Sequence, residues 1–189
     1  MCKRDSNPSL DIAASALRTG GVVAYPTEAV YGLGCDPDNQ QACEAILALK
    51  QRNKGMGMIL IARHIEQLEF FLIGLSDQQR ATLSASWPGP ITWLIPNNGQ
   101  APDWVTGGRD TLAVRVTDHP VAAALCDAFG GPLVSTSANP HGKPPAITAD
   151  QVADYFPEGL SAIVDGPLGQ QAKPTEIRDL ATGDIIRPA

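Results

Sequence analysis

Val22-Val-Ala-Tyr-Pro-Thr-Glu-Ala-Val-Tyr-Gly-Leu-Gly34 is the stretch that decides how this chain is read. Its first four residues form a short apolar run suited to a buried strand, and Pro26 ends it because proline has no N–H for a sheet ladder. A loop carrying Thr27 and Glu28 should follow, with Gly32 and Gly34 giving the backbone room to turn or to approach a bound group closely. Open α/β sheets place ligands at such polar loops beyond a strand's carboxyl end. By itself the stretch is an ordinary strand exit with two turn glycines, and its reading depends on what lies around it.

Working outward, Pro8 to Thr19 has Leu10, Ala13, Ala14 and Leu17 on one helical face and Gly20-Gly21 as a stop. On the other side a helix is expected over Asn39–Gln51, ending on Lys50-Gln-Arg52, where cations complement the helix dipole. Met58–Ala62 reads as a buried strand, followed by helical segments at Ile65–Leu72 and Asp77–Trp87, the second opened by a Ser76/Gln79 capping box. Trp87-Pro-Gly-Pro90 breaks it. Strands are expected at Ile91–Ile95, Leu112–Val116 and Leu133–Ala138, with a long Gly/Pro/Asn-rich loop over Pro96–Asp110. A helix capped by Asp118 should run to Gly130-Gly131, and Thr148 with Gln151 should open a short helix before Pro157. Strands near Ala162–Asp165, Glu176–Leu180 and Asp184–Arg187 complete an alternating pattern whose short connections predict a mixed α/β sheet.

The 189 residues, 43% apolar, fit one domain with a core of its own, spanning 1–189. A net charge of −6 argues against a surface made for nucleic acid or membrane, so any anion site must be local. Cys2, Cys35, Cys43 and Cys126 show no C-x-x-C spacing, and His64, His119 and His141 are scattered, which points to neither zinc nor a disulfide framework. There is no apolar leader core and no run near the ~18 apolar residues a bilayer span needs. The expectation is a soluble cytoplasmic protein.

Three strands carry polar residues where a buried strand should not. In Leu133-Val-Ser-Thr-Ser-Ala-Asn139 the two-residue period puts Ser135, Ser137 and Asn139 on one face and Val134, Thr136 and Ala138 on the other. Arg115 sits among apolar neighbours in Leu112-Ala-Val-Arg-Val116, so it must meet a carboxylate, a phosphate or solvent in a cleft; Asp110 and Asp118 are the nearest structural partners in sequence. Thr92, after the Pro-Gly-Pro turn, could face the same cleft.

Together, Tyr25-Pro-Thr-Glu-Ala-Val-Tyr-Gly-Leu-Gly34, Lys50-Gln-Arg52, Trp87-Pro-Gly-Pro-Ile-Thr92, Leu112-Ala-Val-Arg115 and Pro132-Leu-Val-Ser-Thr-Ser-Ala-Asn139 closely resemble the YrdC family. With Pro174-Thr-Glu-Ile-Arg-Asp-Leu180, the resemblance covers about residues 8–188 and is strongest to the short bacterial, TsaC-type branch. It implies a YrdC-like fold, a twisted open mixed sheet with flanking helices around a large cationic cleft. It also implies an L-threonylcarbamoyladenylate synthase, a nucleotidyltransferase using L-threonine, bicarbonate and ATP with Mg²⁺, without a metal site on the protein. The product would serve t6A modification at position 37 of tRNAs that read ANN codons, through a downstream tRNA threonylcarbamoyltransferase complex of the TsaD/TsaB/TsaE type, with at most weak tRNA binding by this chain.

The resemblance further implies that Lys50, Arg52, Ser137 and Asn139 are catalytic and sit on the nucleotide with Thr92 and Thr175, while Thr27, Arg115 and Ser135 hold threonine. Lys50, Arg52 and Lys54 supply the local positive charge ATP needs, and Arg115 matches a carboxylate as a bidentate partner. No Gly-x-x-x-x-Gly-Lys-Ser/Thr loop is present, and Gly55 and Gly57 are too sparse for a dinucleotide fingerprint. Asn53, Ala29 and Glu176 depart from residues common in the family. The Pro96–Asp110 loop is a candidate lid. The alternatives are a non-catalytic RNA-binding or ribosome-assembly factor using the same basic cleft, and a carbamoyl-transfer module of the kind found in larger maturation enzymes.

Overall fold

A computed structural model describes residues 8–53, 55–171 and 174–189; Cys2 and Lys54 lie outside the described residues. Pro8 opens α1 (Pro8–Arg18), which buries Ala13, Ala14 and Leu17, and Gly20 at φ 82° turns the chain out of it. β1 (Val23–Pro26) follows, buried along its whole length. The turn after it is tight. Thr27 closes it with its N–H and its hydroxyl, both donating to the Val30 carbonyl at 3.1 and 2.6 Å. The chain then returns as β2 (Tyr31–Gly34), antiparallel to β1, so Gly32 and Gly34 are strand residues and not the turn glycines the sequence suggested. Their role is close packing: a Cβ on Gly34 would stand 2.7 Å from the Val134 carbonyl oxygen and 2.8 Å from the Tyr25 ring.

α2 (Gln40–Leu49) is capped by Asn39, whose side chain accepts the Ala42 N–H at 3.0 Å. β3 (Ile59–Ala62), a 3-10 helix (Ile65–Leu72) and α3 (Asp77–Ser86) follow, and the Ser76/Gln79 capping box forms in both directions. β4 (Ile91–Pro96) leads into the segment expected to be a loop. That segment instead contains α4 (Asp103–Thr106), with Val105 and Thr106 buried and the Trp104 indole donating to the Pro37 carbonyl at 3.0 Å. β5 (Thr111–Val116) precedes α5 (Pro120–Phe129). His119 occupies the N-cap of α5, not Asp118, because Pro120, with its preset φ, takes the first helical position. β6 (Leu133–Ser137), α6 (Ala149–Tyr155) with its Thr148 cap, β7 (Ala162–Ile163), β8 (Glu176–Asp179) and β9 (Ile185–Arg187) complete the chain.

The strands form one mixed sheet in the order β7-β1-β2-β6-β3-β5-β4-β8-β9. The pairs β1/β7, β3/β5 and β4/β8 are parallel and the other neighbours antiparallel. Alternation along β5 sorts the two faces: Leu112, Val114 and Val116 enter the larger core with Leu60, Val134 and Ile95, while Thr111, Ala113 and Arg115 face the other way. On that second face, α1 and α5 cover the β1, β3 and β6 end through Leu17, Leu125, Tyr25, Ile61 and Leu133. Where those helices stop, the same face is left open, and the hollow there is the candidate site. No helix among the described residues is long and apolar enough to cross a membrane.

Candidate functional site

The open face encloses a cavity of about 460 Å³ whose lining includes Arg52, Arg109, Arg115 and Arg187, with Glu28 as its carboxylate. Its position follows from strand pairing. β3 stays beside β6 only as far as Ile59–Ser135, so among the described residues Thr136 and Ser137 have β2 on one side and no strand on the other. Arg52 fills that gap, Nη1 donating to Thr136 Oγ1 and Nη2 to the Gly57 carbonyl, each at 3.2 Å. Thr136 is therefore part of the site, against the expectation from simple alternation.

Lys50 lies one step behind. It is the C-cap of α2, and its ammonium turns inward to donate to the Ser137 carbonyl and to the Asn139 carbonyl and Oδ1, the last two at 3.1 Å. The Ser137 hydroxyl donates to Asn139 Oδ1 at 2.6 Å. Burial first, and then the charge of Arg52, push the Lys50 ammonium down to about 8. Lys50, Arg52, Ser137 and Asn139 thus come together, although Arg52 and Ser137 line the cavity while Lys50 and Asn139 back it.

Arg115 pairs with neither Asp110 nor Asp118 but with Glu28, Nη1 to Oε2 at 2.9 Å, with both side chains buried. Thr117 completes the grip, its hydroxyl donating to Glu28 Oε1 at 2.6 Å. Burial alone would raise the Glu28 carboxyl, but the Arg115 charge and the Thr117 hydrogen bond outweigh it and hold Glu28 below the ordinary carboxylate range. Arg115 Nε is buried with no partner among the described residues, and the same holds for Arg52 Nε. Ser135 and Thr27 line the cavity with Arg115. Thr175 lines it too, but Thr92 is fully buried behind it, its hydroxyl 3.3 Å from that of Thr175.

Sequence reasoning missed Glu28 as the partner of Arg115, as well as Thr117, Arg109 and Arg187. Arg187 comes from the last strand and donates Nη2 to the Thr175 carbonyl at 2.8 Å. Burial, then the charges of Arg109 and Arg187, lower the Arg52 guanidinium below its ordinary value, and burial followed by the Arg115 charge does the same to Arg187. The three departures have simple placements: Ala29 lines the cavity, Glu176 pairs with Arg178, and Asn53 orders its own turn by accepting the Gly55 N–H at 3.0 Å. The segment considered as a lid is tied down by Met58 N–H to the Val105 carbonyl at 2.8 Å, and contributes Thr106 and Arg109 to the wall. Among the described residues no three His, Cys, Asp or Glu side chains stand close enough to hold a metal ion.

Fold and site together define a mixed α/β sheet protein with an arginine-lined hollow on its open face. The Sua5/YciO/YrdC family model, described as telomere recombination, matches residues 15–189, and this chain belongs to that family. Threonylcarbamoyl-AMP synthase of Cellvibrio japonicus is 55% identical over 183 residues, 97% of either chain. The protein of the same name from Halorhodospira halophila is 57% identical over 175 residues, 93% of this chain and 92% of that one. Among solved structures, P. abyssi Sua5 complexed with L-threonine superposes with a TM-score of 0.90 at 32% identity, over 98% of this chain and 55% of that one. The chain therefore spans little more than half of that longer protein. E. coli YciO superposes with a TM-score of 0.83 at 28% identity, over 97% of this chain and 90% of its own.

Proposed function

We infer that this chain is an L-threonylcarbamoyladenylate synthase. The observation that carries the reading is the convergence of side chains from separated segments on one hollow lined by four arginines and small hydroxyls, a wall suited to two anionic substrates at once. The name and near-complete coverage of the bacterial relatives, and the threonine complex of the P. abyssi neighbour, support it.

Threonine's carboxylate is assigned to Arg115. Glu28 already occupies Nη1 and Nε is buried, so Nη2 is the guanidinium nitrogen left for a second carboxylate. The Thr27 hydroxyl proton is used on Val30, which leaves its oxygen free to accept from the substrate's ammonium. ATP is assigned to Arg52 and Ser137, with Lys50 and Asn139 fixing the Ser137 strand end and Thr92 acting through Thr175. Threonine's amine and bicarbonate give a carbamate and water. A carbamate oxygen then bonds to the α-phosphorus while the bond to the β-phosphate oxygen breaks, its electron pair leaving with pyrophosphate. The protein supplies no covalent nucleophile; it aligns two anions and stabilises growing charge. Mg²⁺ would arrive on the nucleotide's phosphates, as is usual for ATP-dependent phosphoryl chemistry. The adenylate would pass to a TsaD/TsaB/TsaE-type complex that modifies tRNA. An RNA-binding reading is weaker because these arginines face into a hollow rather than across a surface.

The test is pyrophosphate release by the pure protein with ATP, Mg²⁺, bicarbonate and L-threonine, each omitted in turn. Release that requires all of them is expected. Release indifferent to threonine and bicarbonate would overturn the reading.

A further inference from the structure

Arg109 belongs to none of the pairs described so far. It is exposed at the rim of the cavity, and no hydrogen bond or ion pair joins it to another described residue. Its place is nevertheless set by close backbone packing. It follows Gly107 and Gly108, both left-handed at φ 68° and 74°, and a Cβ on Gly107 would come within 2.8 Å of Gly55 O and Gly57 N. A Cβ on Gly57 would in turn stand 2.7 Å from the Thr106 carbonyl oxygen and 2.9 Å from Arg109 Nη1. The turn carrying Arg109 is therefore interlocked with the turn that follows Arg52, and Gly57 lies between the two guanidiniums, its carbonyl accepting from Arg52 and its α-carbon facing Arg109 Nη1.

Two cations kept together repel, and the carboxylate lining the cavity, Glu28, is already engaged by Arg115 and Thr117. What would compensate this pair is an anion from outside. Arg52, Arg109, Arg115 and Arg187 line the same cavity, Arg115 at its buried end and Arg109 at its exposed rim, and Arg52 is tied to the Gly57 carbonyl beside the Arg109 turn. An in-line displacement places the attacking carbamate and the leaving pyrophosphate on opposite sides of the α-phosphorus. With threonine at Arg115, the leaving group points toward Arg109 and toward solvent.

We propose that Arg109 is a further binding residue of this reaction, gripping with Arg52 the β- and γ-phosphates that depart as pyrophosphate. The assignment rests on the synthase reading above and extends it to the leaving group. It gives the Gly107-Gly108 pair a purpose, since two left-handed residues in succession bring the guanidinium back over the Arg52 turn.

Calorimetric titration of ATP, AMP and pyrophosphate into wild type, Arg109→Gln and Arg109→Lys tests it, alongside steady-state kinetics. Arg109→Gln should lose about tenfold in affinity for ATP and for pyrophosphate, the scale of one charge-assisted contact, with AMP within about twofold and the melting temperature unchanged. Arg109→Lys should recover part of the loss, and KM for ATP should rise while KM for threonine does not. Arg109→Gln binding ATP and pyrophosphate like wild type, or losing ATP and AMP equally, would overturn the assignment. Wild type that binds no ATP would overturn the nucleotide reading beneath it.

Discussion

Glu28 Oε2 lies 2.9 Å from Arg115 Nη1, and the two residues bridge the β1–β2 turn and strand β5 with both side chains buried. The contact ties the turn of the stretch that opens the sheet to a strand near its middle. It also leaves Nη2 as the guanidinium nitrogen neither paired with Glu28 nor buried without a partner.

Removing either charge should strand the other in the interior. Glu28→Gln is expected to cost about 3 kcal/mol, read from the urea midpoint, and adding Arg115→Gln should return part of it. The pair's contribution is present above the carboxyl's unfolded pKa and is lost as pH falls through its lower folded value. A Glu28→Gln protein with wild-type stability at pH 7 and the same acid midpoint would contradict this.

On the synthase reading, Lys50 should make nucleotide binding proton-linked. Burial holds its ammonium down at about 8, and a phosphate bound nearby should raise the value again. Titrating ATP at pH 8 in buffers of different ionisation enthalpy should reveal uptake of a fraction of a proton, vanishing near pH 6.5 and absent in Lys50→Met. Without ligand, the sign for stability is the reverse of a salt-bridged lysine: stability rises with pH between about 8 and the unfolded value of about 10.4. Proton release on binding would refute the assignment.

Gly34 is a packing glycine. Gly34→Ala should lose about 1–3 kcal/mol by overpacking, since the Val134 carbonyl and the Tyr25 ring are both held in the sheet and core. Gly131→Ala is the control, because a Cβ there meets nothing closer than 3.9 Å and the backbone is not left-handed. Equal effects of the two on the denaturation midpoint would contradict the packing account.

Thr92 should act through Thr175. Thr92→Val and Thr175→Val are each expected to cost about 1 kcal/mol, with the double variant costing less than their sum. Additive losses, or a Thr92→Val effect on KM for ATP that persists once Thr175 is already valine, would show that the two hydroxyls are independent.

Much of the architecture is written in local sequence. Periodicity, caps and Pro/Gly punctuation mark the helices and strands, because a helix stripe, a Ser76/Gln79 box or a proline's missing N–H acts within a few residues. The motifs that carry the family resemblance likewise indicated which hydroxyls and cations to look for. Pairing across the sheet was not legible, since partners for Arg115 were sought in Asp110 and Asp118, near in sequence, while the real one is 87 residues away. The same holds for Gly32 and Gly34, whose neighbours come from Thr27, Ser135 and Val134, and for Arg109 and Arg187, which carry no local signal at all. Local chemistry sets the elements, but long-range register decides which buried charges meet, because burial forces each to find a partner wherever the fold supplies one.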